Sequence, residues 1–336
     1  MRFSVEYDEN SFNKVIDVLK EFSNKEVSLF EIGKECLRRG VIFSDYLFVI
    51  LQHLNIKKIV EAKKNVINIK GNLTEEVIEE TKDLVKRKLS VSKLFLTPLE
   101  VSKFFQCPRR LWLEKVVLSK QKKEKVGKVW DGEAVHLSIK NFFENIGKKE
   151  ESLLLKESVE YGLKSFEGAV QIEEKEIEEI IKEFIEELKS ENFDLILPER
   201  TIVSIKFGLV GSMDLIAFRD NEVYPIEIKY AAYRGKLKKE HLIQGIGEVL
   251  LLNSYFRKNI KKFYIFYSQT KNLVEVNVKR RYILNFMKAV SKIFKVYSSQ
   301  KIPPKSRLPN YKERVCKGCH VMHACNNIEV IKRKKV

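Results

Sequence analysis

The sequence predicts an α/β protein. An acidic amphipathic helix over 172–189 gives way to β-rich composition over 201–207, 209–218 and 222–230, and helical periodicity returns at Gln244–Phe256. A strand at Phe263–Tyr267, an alternating one at Val274–Val278 and a helix at Tyr282–Ser298 follow. With 336 residues, 44% of them hydrophobic, the chain can bury a core as one large domain or two smaller ones.

The first 90 residues read as a unit of their own. Phe12, Val15, Ile16, Leu19 and Phe22 give a helix over 11–23 with Ser11 as its N-cap. Ser28 opens a second helix over 29–39 that Gly40 stops, and a third spans 44–53. Residues 56–60 and 65–69 read as a strand pair around 61–64. Three helices and a hairpin give a winged helix-turn-helix-like domain over 1–73, and the amphipathic helix from Thr74 to Leu89 a linker over 74–95. The third helix carries no Lys or Arg, which suits packing or protein contact better than reading DNA. Thr97 and Pro98 then start a new helix as N-cap and first helical residue. Asp220-Asn221 is a tight turn between two strands.

Charge is distributed unevenly. Residues 1–90 hold 16 basic and 15 acidic side chains, residues 148–191 hold 7 and 14, and residues 229–336 hold 26 and 5. A C-terminal excess of +21 points to a polyphosphate partner, although a solvated lysine-rich surface has the same composition. The composition excludes disordered and collagen-like chains, and no apolar run is long enough to span a membrane. The N-terminal residues lack the apolar stretch of a signal peptide, so a cytoplasmic protein is expected. Five cysteines are too few for a disulfide scaffold.

Two constellations carry chemistry. In the first, Glu227 and Lys229 lie two residues apart and share one strand face, while Ile226 and Ile228 take the other. The Asp220-Asn221 turn sets Asp214 on the neighbouring strand within reach of Glu227. Two converging carboxylates make a hard oxygen site for Mg²⁺ or Mn²⁺, and Lys229 beside them can orient water or stabilise charge on phosphate. A surface hairpin with a salt bridge has the same residues, but the apolar flanks Leu209, Val210, Leu215 and Ile216 make unpaired charge there costly. In the second, Cys316, Cys319 and Cys325 follow a C-x₂-C-x₅-C spacing, and Cys107 lies far upstream beside Arg109, Arg110 and Trp112. Four thiols can hold an iron–sulfur cluster, and with His320 and His323 in the C-terminal loop a zinc site competes. Cys36 reads as an ordinary buried cysteine.

These residues resemble the PD-(D/E)XK nucleases of the RecB type, in the branch closed by an iron–sulfur cluster, and above all the CRISPR-associated Cas-four exonucleases. The resemblance runs from Leu99 to about Ile328 through the first cysteine in FFQCPRRLWLEK, His136 in DGEAVHLSI, Gly211-x-x-Asp214, Glu227-x-Lys229, Gln244 and the three distal cysteines. It implies a restriction-endonuclease-like core, a mixed central sheet flanked by helices, over 96–302, and an iron–sulfur module with a basic tail over 303–336. It further implies metal ligation by His136, Asp214, Glu227 and the Ile228 carbonyl, with Lys229 catalytic and Gln244 supporting the site and the DNA. Cys107, Cys316, Cys319 and Cys325 would bind a [4Fe–4S] cluster. By itself His136 reads as a packed helix residue, and Glu199, a recurrent acid of the family, reads as structural.

The resemblance implies a single-stranded DNA exonuclease in CRISPR spacer acquisition, with the integrase subunits as partners and a homo-oligomer as an option. The alternatives are a repair nuclease served by a separate helicase, since the chain carries no phosphate-loop motif, and a catalytically inactive DNA-binding cluster protein. Two departures stand out. Gln244-Gly-Ile-Gly-Glu248 replaces the usual Gln-x-x-x-Tyr, and residues 1–90 lie outside the family's minimal chain.

Overall fold

A computed structural model of the chain describes residues 3–5, 7–42, 44–63, 65–70, 73–89, 91–93, 95–115, 127–299, 301–305, 315–317 and 319–333. Strand β1 (Phe3–Val5) leads into helix α1 (Glu9–Glu21). Asp8, rather than Ser11, caps that helix, accepting the N–H groups of Asn10 and Ser11 at 3.1 and 3.2 Å. Strand β2 (Glu26–Ser28), which the sequence pattern does not show, precedes α2 (Leu29–Arg38) and α3 (Ser44–Ile56). Helix α3 runs through Ile56, so β3 starts later than expected, at Val60–Lys63, after Lys58 turns the chain at φ +61°. With β4 (Val66–Ile69) these strands form an antiparallel sheet in the order β2-β4-β3.

Helix α4 (Glu75–Leu89) adds Val85 and Leu89 to the core beneath α1–α3, and β5 (Val91–Lys93) returns to pair with β1. Helix α3 buries Tyr46, Leu47, Ile50, Leu51 and Leu54 and packs on α4 and on elements of the larger unit, while Gln52, Asn55 and Ile56 stay exposed.

Helix α5 (Pro98–Gln106) opens with a reciprocal capping box between Thr97 and Glu100, at 3.1 and 3.0 Å. Cys107 ends it, and α6 (Pro108–Lys115) follows at once. Three helices come next, α7 (Lys128–Asn145), α8 (Glu151–Lys164) and α9 (Glu174–Ser190). Strands β6 (Leu195–Ser204), β7 (Leu209–Arg219) and β8 (Glu222–Lys229) then form an antiparallel meander. Strand β6 begins six residues before the expected 201. Asp220 and Asn221, at φ +48° and +61°, make the β7–β8 turn. Helix α10 (Lys239–Phe256) crosses over to β9 (Lys262–Tyr267), which pairs parallel to β8, and β10 (Asn272–Asn277) completes the mixed sheet β10-β9-β8-β7-β6. Helix α11 (Arg280–Ser299) and α12 (Met322–Arg333) follow, so His323 sits on a helix rather than in a loop.

The sheet is covered on both sides. Leu215, Ala217, Ile226, Ile228 and Phe266 pack toward α7, α8 and α9, whereas Ile216, Phe218, Val223, Phe263 and Ile265 pack toward α10 and α11. The N-terminal unit docks on the second layer. Phe30 lies 5.2 Å from Phe256 between ring centroids, and the Tyr255 hydroxyl donates to the Val41 carbonyl at 2.8 Å. Gly245 lets α10 approach the sheet, because a Cβ there would overlap the ring of Phe263. Gly245→Ala is expected to cost about 2 kcal/mol as overpacking, read as a lowered midpoint in urea unfolding.

Candidate functional site

Strands β7 and β8 are paired from Arg219–Glu222 up to Leu215–Ile226, and the ladder stops there. Continuing that register would set Asp214 opposite Glu227. Instead of meeting a β7 carbonyl, the Ile228 N–H donates to the Asp214 side chain, Oδ2, at 2.7 Å. The strands part at the point where the candidate acids lie.

The parting splits the predicted residues into two groups. On the α7 side, Asp214, His136 and Ile228 line a pocket of about 520 Å³ together with Glu133, Lys140 and Glu199. Asp214 Oδ1 stands 3.4 Å from His136 Nδ1. Burial favours the neutral acid, but the His136 charge, its hydrogen bond and the Ile228 N–H outweigh it and hold the Asp214 carboxyl below its ordinary range. His136 is pushed the other way: burial lowers its pKa, and the Asp214 and Glu227 charges raise it further than burial takes it down.

On the α10 side lie Glu227, Lys229 and Gln244. Glu227 is 3% exposed, and its Oε1 accepts from Lys229 Nζ and, at 2.5 Å, from Gln244 Nε2. Lys229 Nζ also donates to Gln244 Oε1 at 2.9 Å. Burial acts to discharge Lys229, but its pairing with Glu227 prevails and raises its pKa, so the ammonium is retained. Burial, then the Asp214 charge, push the Glu227 carboxyl up. The even and odd positions of β8 thus separate as period-two alternation requires, but both faces are functional in character because both are covered by helices.

Residues beyond the expected set join the site. Glu248 is 1% exposed and one turn after Gln244; burial, then the Glu227 charge, push its pKa well up, and its Oε2 has no hydrogen-bond partner. Glu199 lies within β6, at the ladder position opposite Asp214, with φ +25°. It forms an ion pair with Lys140, one turn after His136. The spacing of Glu133, His136 and Lys140 on one helix face is the sequence signal that would have found them.

The cysteines are also brought together. Cys107, Cys316, Cys319 and Cys325 line one cavity of about 290 Å³, and neither His320 nor His323 lines it. His320 Nε2 faces Glu114 at 3.1 Å, and His323 Nε2 faces Asn327 at 3.0 Å. Arg109 Nε donates to the Pro303 carbonyl at 2.9 Å, tying α6 to the segment that leads to the cysteines. Among the described residues, no three His, Cys, Asp or Glu side chains stand close enough to form a preformed metal cage.

A sequence model of the PD-(D/E)XK nuclease superfamily matches residues 96–326. The chain belongs to that superfamily. The match contains both groups around Asp214 and Glu227 and all four clustered cysteines, and leaves out the N-terminal unit. No protein of curated function matches the chain. A crystal structure from Eubacterium rectale that carries the provisional name exonuclease is similar over 71% of this chain and 92% of its own, at 15% identity and a TM-score of 0.44. Nucleases of this superfamily typically use Mg²⁺ or Mn²⁺. Among the described residues no helix is long and apolar enough to cross a membrane.

The buried acid of this nuclease has a measurable consequence. In the unfolded chain Glu248 ionises near 4.5, whereas in the fold it stays protonated well above that value. Its contribution is therefore intact below the ordinary carboxyl range and lost as pH rises toward the folded value. Glu248→Gln is expected to gain thermal stability relative to the parent, by a margin that grows as pH rises above 4.5, measured by melting curves from acid to neutral pH.

Proposed function

We propose that this nuclease is a metal-dependent enzyme that trims single-stranded DNA, with an iron–sulfur cluster closing its domain and CRISPR spacer acquisition as its setting. One observation carries the catalytic part: Asp214 takes the Ile228 N–H where the β7–β8 ladder ends, beside a pocket of about 520 Å³, and its charge acts on Glu227 and Lys229 from across the same strand. The donor set suits a hard cation. Mg²⁺ keeps several waters and takes one or two carboxylates plus phosphate oxygens, so no closed cage is needed. Asp214, Glu227, His136 and the Ile228 carbonyl would hold it, and it would supply Lewis acidity at a phosphate oxygen.

The chain's own residues do the rest. Hydrolysis adds water to phosphorus, breaks one P–O ester bond and returns a proton to the leaving oxygen. Lys229, paired with Glu227 and Gln244, can orient the attacking water and balance phosphate charge. Gln244 fixes Lys229 and Glu227 at once through its two amide atoms. Asp214→Ala is expected to abolish cutting of a labelled oligonucleotide while leaving its binding largely intact. Cutting that persists in a clean preparation would reject the assignment.

The four thiols around one cavity support the cluster reading, since histidines turned to other partners leave a sulfur-only donor set. Cys107, Cys316, Cys319 and Cys325 would bind a [4Fe–4S] cluster and tie the α5–α6 junction to the C-terminal segment. Burial, followed by the neighbouring thiols, raises the Cys316 pKa, which fits a thiol that gives up its proton on binding a metal. Anaerobic purification is expected to give a coloured protein with about four irons and four sulfides per chain. A colourless protein with one zinc would overturn the cluster and, with it, the CRISPR setting. In that setting the integrase subunits are the partners, self-association remains an option, and the winged-helix-like unit over 1–73 serves packing and partner contact.

A further inference from the structure

The strongest unassigned feature is a groove of about 420 Å³ between the α5–α6 junction and α11. Its walls are Phe104 and Phe105 on one side and Asn285, Lys288 and Lys292 on the other, with Lys305 at one end. Lys288 and Lys292 are exposed and one turn apart, so their ammonium groups form a row along one face of α11. Lys239 stands 5.1 Å from the centre of the Phe105 ring, and Gln106 Nε2 donates to Glu240 Oε1 at 3.3 Å. Both contacts join the groove to the first turn of α10, the helix that delivers Gln244 to Glu227 and Lys229. Among the described residues, no carboxylate lines the groove itself.

We infer that this groove holds the unpaired continuation of a nucleic-acid strand whose scissile phosphate lies at the Asp214–Glu227 site, an inference that rests on the nuclease reading above. Lysines in a row supply phosphate contacts, and an aromatic wall supplies a surface on which bases stack. Stacking of that kind needs bases freed from their complement, and a groove of this volume takes one or two bases rather than a duplex. The groove also gives a place to part of the +21 charge excess of residues 229–336, which the catalytic cluster does not use.

The test uses the full chain, fluorescence anisotropy and a labelled 20-mer of oligothymidylate in EDTA. Lys288→Gln with Lys292→Gln is expected to weaken binding about 20-fold at about 0.1 M salt and to lower the salt slope by about 1.4, the value for two lost single-strand phosphate contacts. Phe105→Leu keeps the apolar bulk and is expected to weaken binding about tenfold with an unchanged slope. Lys156→Gln with Lys175→Gln makes the same charge change on exposed positions of α8 and α9, across the sheet, and should leave binding as it was. Parental binding by the Lys288/Lys292 variant, a loss equal to that of the control pair, or equally tight binding of a 20-base-pair duplex would each overturn the groove. If the parent cuts nothing but loses binding with Lys288 and Lys292, the nuclease reading fails and the groove stands. If the parent cuts, Asp214→Ala does not, and the lysine variant binds normally, the groove fails alone.

Discussion

The hydrogen bond from the Ile228 N–H to Asp214 replaces a rung of the β7–β8 ladder, and the site depends on that replacement. A buried peptide N–H without a partner costs free energy on the order of a lost hydrogen bond, so two strands cannot part inside a sheet unless something takes over the orphaned group. Here the side chain that takes over is an acid, and the N–H adds to the larger effects of the His136 charge and hydrogen bond that hold its carboxyl below the ordinary range. One contact therefore opens the sheet and pins the strand ends. Its second oxygen is left for His136 and the pocket.

Beneath the same strands, α10 closes over charges that would otherwise be untenable. Glu227, Lys229 and Glu248 lie in a layer built from Ile246, Val249, Leu250 and Phe263. A buried carboxylate is tolerated only when paired, and Glu227 has Lys229 and the Gln244 amide on one oxygen. Glu248 adds a second acid to that layer, and burial, then the Glu227 charge, push its pKa well up. Gly245 and Gly247 make room for this arrangement, since side chains there would collide with Phe263 and Pro98.

The additions at both ends bind the core in different ways. The N-terminal unit is packed on α10 through Phe30, Val41 and Tyr255. The C-terminal segment is held near α6 by Arg109 and by the small apolar cluster of Trp112, Leu113 and Val321.

Local patterns in the chain determined most of its elements. The Thr97-Pro98 start, the Ser28 cap, the Asp220-Asn221 turn and the stripe of α9 are each written in contiguous residues, because capping, turn chemistry and helical period are short-range effects. Alternation on β8 also separated Glu227 and Lys229 from Ile226 and Ile228 correctly. Other features depend on partners distant in the chain. Asp8 displaced Ser11 as a cap one turn earlier than the apolar stripe suggested, and β2 exists because β4 pairs with it. Sequence spacing put Asp214 opposite Glu227 but could not say that the ladder ends there, or that each acid would be served from a different side of the sheet. Nor could it place Glu199, Lys140 and Glu248 around them. Which helix covers which face is decided by the packing of layers, and that packing is set by contacts between residues tens to hundreds of positions apart.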